Sequence, residues 1–470
     1  MKNKKISRRS FLERGGMAGI GFMLFPFAIG CGKDIPEIEK PTEPTEPIDP
    51  GNGDGGDGGD GGDGGNGGDG GTTLPVVKVG EVFPAWVEGC LDIHAINTGR
   101  GESTLYILPD GTTMLVDASG SLGGPTVDPP LTPSKPNDSV TSGTVITNYV
   151  KHYIAPASNN KLNYLLLTHY HADHLGSYSA SSPLAPEGNF RMGGLTEVGA
   201  KIPFDTLIDR DYPNFKYKTA DMSDNNAMSN YVKFVNWSKT AYGAVVEPFE
   251  AGRDDQIVLK QNASKYPGFT IRNIAVNGKV WTGSGTNVKN TFPELTEWLA
   301  LGSNGPAENI CSITFRLTYG KFKYFAGGDL QYNGKSTYAW KDIETPVGEV
   351  TGEVDVMKAN HHGTSNTNGD AFLKALKPKA VLIHPWRDVQ PNLDTIKRML
   401  ALPNSPQVFA SNMTEANKVR LGSTISDFKS TQGHIVVRVE PGGTQYSIYS
   451  LEDSNQEYKV KQIFGPYGSK

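Results

Sequence analysis

An apolar run that ends in a cluster of histidines and an aspartate constrains this chain more than any other stretch. Residues 163–168 form a short apolar segment of the kind that makes a strand covered on both faces. Alternate residues of an extended chain point the same way, so His169 and His171 can face one metal ion together. Asp173 and His174 follow in the next turn and can face a second ion. Imidazole and carboxylate donors suit zinc, manganese or iron, and the absence of cysteine disfavours a purely structural zinc site. A solvated polar loop is the alternative, but it does not explain the preceding strand.

The spacing of these four residues resembles the hallmark motif of the metallo-β-lactamase fold superfamily. The resemblance implies an α/β protein, an αββα sandwich, with an insertion after the motif. In that superfamily an aspartate at the end of an early strand usually orients a metal ligand through a hydrogen bond, and the resemblance gives this role to Asp117. An ordinary turn aspartate is the alternative at this position.

Three apolar stretches further along the chain also end in residues that bind metals. They end at Asp329, at the pair His361 and His362, and at His384. Strand ends that deliver ligands together match a metal site at the edge of a sheet. Given the resemblance, we expect Asp329 to bridge two ions, His361 or His362 to complete the first, with His361 preferred, and His384 to complete the second. A capping or core role is the alternative for His384.

Residues 1–31 are typical of an export signal. A basic start precedes an apolar stretch at about 17–29, and small residues stand before Cys31. The sequence Ser-Arg-Arg-Ser-Phe-Leu at 7–12 resembles a twin-arginine export motif, and the segment ending at Cys31 resembles a bacterial lipoprotein signal. We therefore expect lipid on Cys31 and a protein anchored to a bacterial membrane outside the cytoplasm, in the periplasm or at the cell surface. A retained anchor helix is the alternative.

Residues 32–73 separate this signal from a body at 74–470. The first part of this linker is rich in Pro, Glu and Thr, and the second consists almost entirely of Gly, Asp and Asn, so it should be extended and then flexible. A calcium-binding repeat is a poor alternative, because the apolar residue of such repeats is missing. Within the body, we expect Cys90 and Cys311 to be buried thiols, with a disulfide as the alternative.

The charge of the chain is concentrated before the body. The chain carries −5 overall, of which residues 1–30 contribute +5 and residues 31–72 contribute −9, so the remainder carries about −1. A protein that grips nucleic acid by many phosphates needs a broad basic surface. The sequence shows no such surface, although local basic grooves remain possible.

The stretch from 178 to about 300 contains no histidine, whereas many hydrolases of the superfamily draw a ligand from this region. Its patterns predict a strand at 204–208, a helix at about 226–242, and a strand pair over 269–281 turned at Asn-Gly. A substrate-binding insertion or lid is one interpretation, and packing bulk is the other.

The order of motifs from 91 to 411 is similar to the hydrolase domain of ComEC-type DNA-uptake proteins and to extracellular phosphorylcholine esterases. The chain departs from the former because the body has no polytopic membrane part, and from the β-lactamases because those lack an aspartate such as Asp329. The resemblance implies a binuclear metallohydrolase that cleaves phosphodiesters, of small-molecule or polymer type, with a metal-bridged hydroxide. Zinc is the expected metal, with manganese or iron as alternatives, and Asp173, His174 and Asp329 are the expected catalytic residues. Carboxylic ester, thioester or lactone hydrolysis is the second hypothesis. A surface lipoprotein with a structural metal is the third.

Overall fold

The computed structural model describes residues 74–120, 131–219, 222, 225–301, 307–332 and 338–470. The predicted export signal at 1–31, with Cys31, and the linker at 32–73 lie outside the described residues. The compact unit that contains the body spans Gly70–Lys470. Among the helices described, none combines the length and the apolar character that crossing a membrane requires.

The strands form two nine-stranded sheets, and each sheet combines antiparallel and parallel pairing. The first sheet has the order β18-β17-β16-β1-β2-β3-β4-β5-β6, and β3 to β6 run parallel. Its strands are β1 (Leu91–Ala95), β2 (Thr104–Ile107), β3 (Thr113–Val116), β4 (Leu162–Leu166), β5 (Phe204–Asp209), β6 (Val245–Pro248), β16 (His434–Val439), β17 (Gln445–Leu451) and β18 (Val460–Gly468).

The second sheet has the order β15-β14-β13-β12-β11-β10-β7-β8-β9, and β11 to β15 run parallel. Its strands are β7 (Phe269–Val276), β8 (Lys279–Trp281), β9 (Val288–Asn290), β10 (Thr314–Tyr319), β11 (Phe322–Ala326), β12 (Val356–Lys358), β13 (Ala380–Ile383), β14 (Gln407–Ala410) and β15 (Phe428–Ser430). In both parallel segments the carboxyl ends of neighbouring strands lie at one edge, where loops can bring functional side chains together.

Helices lie on the outer faces of the sheets. They are α1 (Ser142–Ser158), α2 (Ala172–Leu175), α3 (Leu195–Lys201), α4 (Asn225–Ala241), α5 (Leu295–Ala300), α6 (Glu344–Thr351), α7 (Asp370–Leu376), α8 (Leu393–Leu400) and α9 (Glu415–Leu421). One apolar cluster joins α1, α3 and α4 to the first sheet, and another joins α6, α7 and α8 to the second.

A third apolar cluster contains residues of both sheets and therefore marks their shared interface. The ring of Tyr106 on β2 packs edge-on against Phe315 on β10 and Tyr324 on β11, each with centroids 5.9 Å apart. Buried aromatic pairs of this geometry stabilise a core beyond their apolar area. Helices, two sheets and helices are compatible with the predicted αββα sandwich.

The segment at 178–300 contributes to both sheets. The predicted strand and helix are β5 and α4, and the predicted strand pair is β7 and β8. β5 and β6 continue the parallel part of the first sheet, whereas β7 to β9 form an edge of the second. Cys90 and Cys311 are both buried thiols, as expected.

Candidate metal centre

The four residues of the hallmark motif lie just beyond the carboxyl end of β4. His171 precedes the first residue of α2, and Asp173 and His174 belong to that short helix. The Nε2 atom of His169 lies 3.1 Å from Nδ1 of His171, so both imidazoles can share one ion. This juxtaposition agrees with the alternate spacing of the two residues.

Asp117 follows β3 and contacts the Nδ1 side of the His174 ring. Its Oδ2 lies 2.7 Å from Nδ1 of His174 and accepts a bond of 2.7 Å from the Thr168 hydroxyl. Its Oδ1 accepts a bond of 2.7 Å from the Thr168 backbone N–H. With Nδ1 bonded to Asp117, His174 directs Nε2 towards Asp329, whose Oδ1 is 3.2 Å away. The contacts are those expected of a residue that orients a metal ligand.

Asp329 reaches the centre through a two-glycine turn after β11. Gly328 has φ +51°, and a Cβ there would lie 2.9 Å from the side chain of Ser312. A Cβ at Gly327 would lie 2.5 Å from Oδ1 of Asn360. Only glycine permits this approach at both positions, and the turn places the carboxylate of Asp329 at full burial.

The turn that carries His361 and His362 follows β12 and has an unusual backbone. Both histidines have positive φ, +45° and +53°. Left-handed conformations of non-glycine residues cost about 1–3 kcal/mol each and cluster at functional sites. His362 Nε2 lies 3.1 Å from Oδ2 of Asp173 and 3.4 Å from Oδ2 of Asp329. His361 Nε2 lies 3.7 Å from the same Asp329 oxygen, and its side chain is 21% exposed.

One set of four side chains is arranged to hold a metal ion. Ligand atoms of Asp173, His174, Asp329 and His362 all lie within 4.8 Å of one another. The structure therefore places His362, not the preferred His361, beside Asp173 and His174.

The other predicted ligands lie outside this set. Within the described residues, no group of three or more ligands of this compactness includes His169, His171, His361 or His384. His384 is buried after β13, and its Nδ1 has no hydrogen-bond partner among the described residues. Its role as a ligand stays a prediction.

The buried atoms of the four-residue set fit a cation. Both carboxylate oxygens of Asp329 and Nε2 of His174 are buried without a hydrogen-bond partner in the described part of the chain. Buried polar atoms are normally paired, and unpaired acceptors that converge are what a bound ion satisfies. Burial alone would lower the pKa of His174, yet the carboxylates of Asp329, Asp117 and Asp173 raise it well above its ordinary value. The centre thus has a strongly negative potential, which favours a divalent cation.

The sequence interpretation missed a buried ion pair beside Asp329. Nζ of Lys358, at the end of β12, lies 2.6 Å from Oε2 of Glu102 and 3.6 Å from Oδ1 of Asp329. The side chains of Lys358 and Glu102 are 1% and 4% exposed. The sequence feature that could have revealed this pair is a lysine at the end of an apolar strand. Lysine is almost never buried unless it is paired, so a buried acidic partner could have been expected.

No family model matches the chain, and no curated protein matches it. Among solved structures, the chain is similar to Igni18, described as a novel metallo hydrolase from the hyperthermophilic archaeon Ignicoccus hospitalis. The two are 12% identical with a TM-score of 0.31, and the match covers 77% of this chain and all (100%) of Igni18.

Proposed function

We propose that this chain is a metal-dependent hydrolase of the metallo-β-lactamase type, with two divalent ions at the edge shared by its two sheets. The observation that carries the proposal is the convergence of Asp173, His174, Asp329 and His362, whose ligand atoms lie within 4.8 Å of one another. Several of their buried oxygens and nitrogens are unpaired, and each unpaired polar group destabilises a core that holds no metal. The same atoms can coordinate a cation, which would satisfy them.

The two ions would have different ligands. Asp173, His174 and His362 would hold one ion. His169 and His171 would hold the other, together with His361, which lies 3.7 Å from Asp329. Asp329 would serve both, since its Oδ1 faces His174 and its Oδ2 faces His361 and His362.

Bound zinc or manganese lowers the pKa of water towards neutrality and polarises the bond to be cleaved. The residues of the chain supply the orientation on which this chemistry depends. Asp117 accepts the Nδ1 proton of His174 and so directs Nε2 at the centre, where it would bind the ion. Lys358 places a positive charge 3.6 Å from Asp329 Oδ1, which partly compensates the crowding of carboxylates.

We propose phosphodiesters as the substrates, with zinc as the first metal to test. The proposal is supported by the similarity of the motif order to ComEC-type and phosphorylcholine esterase proteins. A pair of metal ions can stabilise both the attacking and the leaving oxygen of an in-line displacement at phosphorus.

We also propose that the protein acts outside the cytoplasm, attached to a membrane by lipid on Cys31. Only the sequence supports this part of the proposal. Mass analysis of the membrane-extracted protein would show a lipid-modified N-terminal cysteine, whereas an unmodified N-terminus in a soluble fraction would contradict it.

The function is tested by hydrolysis of bis(p-nitrophenyl) phosphate by the chain loaded with zinc or manganese. Asp173→Ala and Asp329→Ala each remove a proposed ligand and should reduce turnover by at least about 100-fold. Asp255→Ala is the matched control, because the Asp255 side chain is 71% exposed and pairs only with surface Arg253 among the described residues.

Three outcomes discriminate the hypotheses. Metal-dependent turnover that both ligand variants lose would support the phosphodiesterase. Two bound ions without turnover would direct the search to p-nitrophenyl esters, thioesters and lactones. A chain that binds no metal, with its fold intact, would refute the hydrolase proposal.

A further inference from the structure

Two buried glutamates, neither of them a proposed ligand, hydrogen-bond the turns that form the metal centre. Glu308 and Glu344 are both fully buried, and neither was singled out by its sequence context. Each accepts hydrogen bonds from a turn that carries proposed metal ligands. Buried carboxylates are costly unless they are paired or hydrogen-bonded, so their partners indicate what they hold in place.

Glu308 holds the turn between His169 and His171. Its Oε1 accepts a bond of 2.9 Å from the backbone N–H of Tyr170, the residue between the two histidines. Arg210 donates to both carboxylate oxygens, from Nε at 2.7 Å and from Nη2 at 2.8 Å.

The same arginine also contacts the side chain of the held residue. The guanidinium carbon of Arg210 lies 4.6 Å from the centroid of the Tyr170 ring. Thr219 donates its hydroxyl to Glu308 Oε2 at 2.5 Å. Glu308 therefore fixes the backbone of Tyr170, and Arg210 fixes its ring. These contacts also restrict the positions of His169 and His171, which flank Tyr170 in the chain.

Glu344 holds the turn before His361 and His362. Its Oε1 accepts bonds from the Asn360 side-chain amide at 2.9 Å and from the Asn368 backbone N–H at 2.7 Å. The Asn368 side chain in turn bonds both the N–H and the carbonyl of Asn360, each at 3.0 Å. Asn360 is thus held at three atoms, immediately before two residues in the left-handed region. Such backbone strain persists only where the surroundings over-determine the conformation.

We propose that Glu308 and Glu344 are positioning residues, one for the His169 and His171 side of the centre and one for the His361 and His362 side. The inference rests on the proposed metal centre. Since neither glutamate is itself a proposed ligand, its replacement leaves every ligand in the chain and changes only how the ligands are held. The two effects should be separable, because the glutamates act on turns from different sheets.

The test compares Glu308→Gln, Glu344→Gln and the matched surface control Glu415→Gln, whose side chain is 84% exposed in the wild-type protein. Zinc affinity is measured for each binding step by competition with a chromophoric chelator. Cobalt-loaded protein gives an absorption spectrum that reports the coordination geometry. Thermal unfolding of the metal-free protein reports stability separately.

We expect Glu308→Gln to weaken mainly the binding step of the ion held by His169 and His171, by about 10- to 100-fold. Glu344→Gln should weaken the step of the ion held by His362 by a similar factor, with a smaller change at the other ion through His361. The cobalt spectrum should change differently in the two variants and not at all in Glu415→Gln. Unchanged affinities and spectra, with only a lower melting temperature, would overturn the proposal and leave both residues as purely structural.

Gentler variants cover the case in which a glutamine variant does not fold. Thr219→Val removes one hydrogen bond to Glu308, and Asn368→Gly removes the Asn368 side chain without opposing its φ of +55°. The same pattern of affinities is expected, with smaller changes, and its absence would overturn the proposal.

The experiment separates this inference from the proposed function. A wild-type protein that binds two ions but hydrolyses no substrate would refute the function and leave the positioning roles testable. A wild-type protein that binds no ion would refute both.

Discussion

Asp117 provides the sharpest test of how the metal centre is oriented. In Asp117→Asn the Oδ1 position can still accept the Thr168 backbone N–H, but an NH₂ group replaces the oxygen that receives the other two bonds, both of 2.7 Å. The new N–H donates to His174 Nδ1, so the imidazole proton moves to Nε2. A protonated Nε2 facing Asp329 cannot bind a cation.

The magnitude follows from the loss of one oriented ligand. Replacing the hydrogen-bond partner of a metal-binding histidine lowers metal affinity by about 10- to 100-fold, equivalent to about 1.4–2.8 kcal/mol. The assay is chelator competition for zinc, with Asp255→Asn as the matched control on an exposed aspartate. Equal zinc affinity in Asp117→Asn and the parent, at both binding steps, would refute the assigned role of Asp117.

Two further predictions concern stability in the metal-free chain. Burial raises the pKa of Glu344 from 4.5 to about 7, against the hydrogen bonds of its N–H partners. Because the folded state holds the Glu344 proton more tightly than the unfolded state, Glu344 stabilises the fold fully below pH 4.5, and this contribution is lost as the pH rises through 7. Over that range the free energy of unfolding should fall by up to about 3 kcal/mol more than it does in Glu344→Gln. Parallel pH profiles of urea unfolding in the two proteins would contradict this. Asp92→Asn should cost about 3–5 kcal/mol in urea unfolding, because it strands the buried charge of Arg438, which donates to Asp92 at 2.8 and 2.6 Å. Glu353→Gln, at a solvent-exposed ion pair with Lys377, should destabilise the protein far less than Asp92→Asn, and equal losses in both variants would refute the argument.

Local signals made much of the fold predictable. The strand before His169 is an unbroken apolar run, and the hairpin of β7 and β8 turns at Asn277 and Gly278, which tolerate positive φ. Asp117 lies directly after β3, as predicted, because that strand is short and its last three residues are apolar.

The details of the metal centre were not predictable, because they depend on distant contacts. Which of His361 and His362 lies beside Asp173 depends on a left-handed backbone that Asn368 and Glu344 support from elsewhere in the chain. The pairing of Glu102 with Lys358 joins the loop before β2 to the end of β12, which belongs to the other sheet. No local pattern encodes such contacts, and none indicated that the stretch at 178–300 would divide between both sheets.

The separation of the ligands along the chain determines when a metal ion can assist folding. His362 lies 189 residues after Asp173, its partner across the centre. At about 5–20 residues per second, synthesis places about 10–40 s between the appearance of the two side chains. For most of that interval the emerging chain lacks Asp329 as well as His362. A metal ion can therefore stabilise this fold only after most of the chain has been made. It would bind a nearly complete domain and would not form part of the folding nucleus.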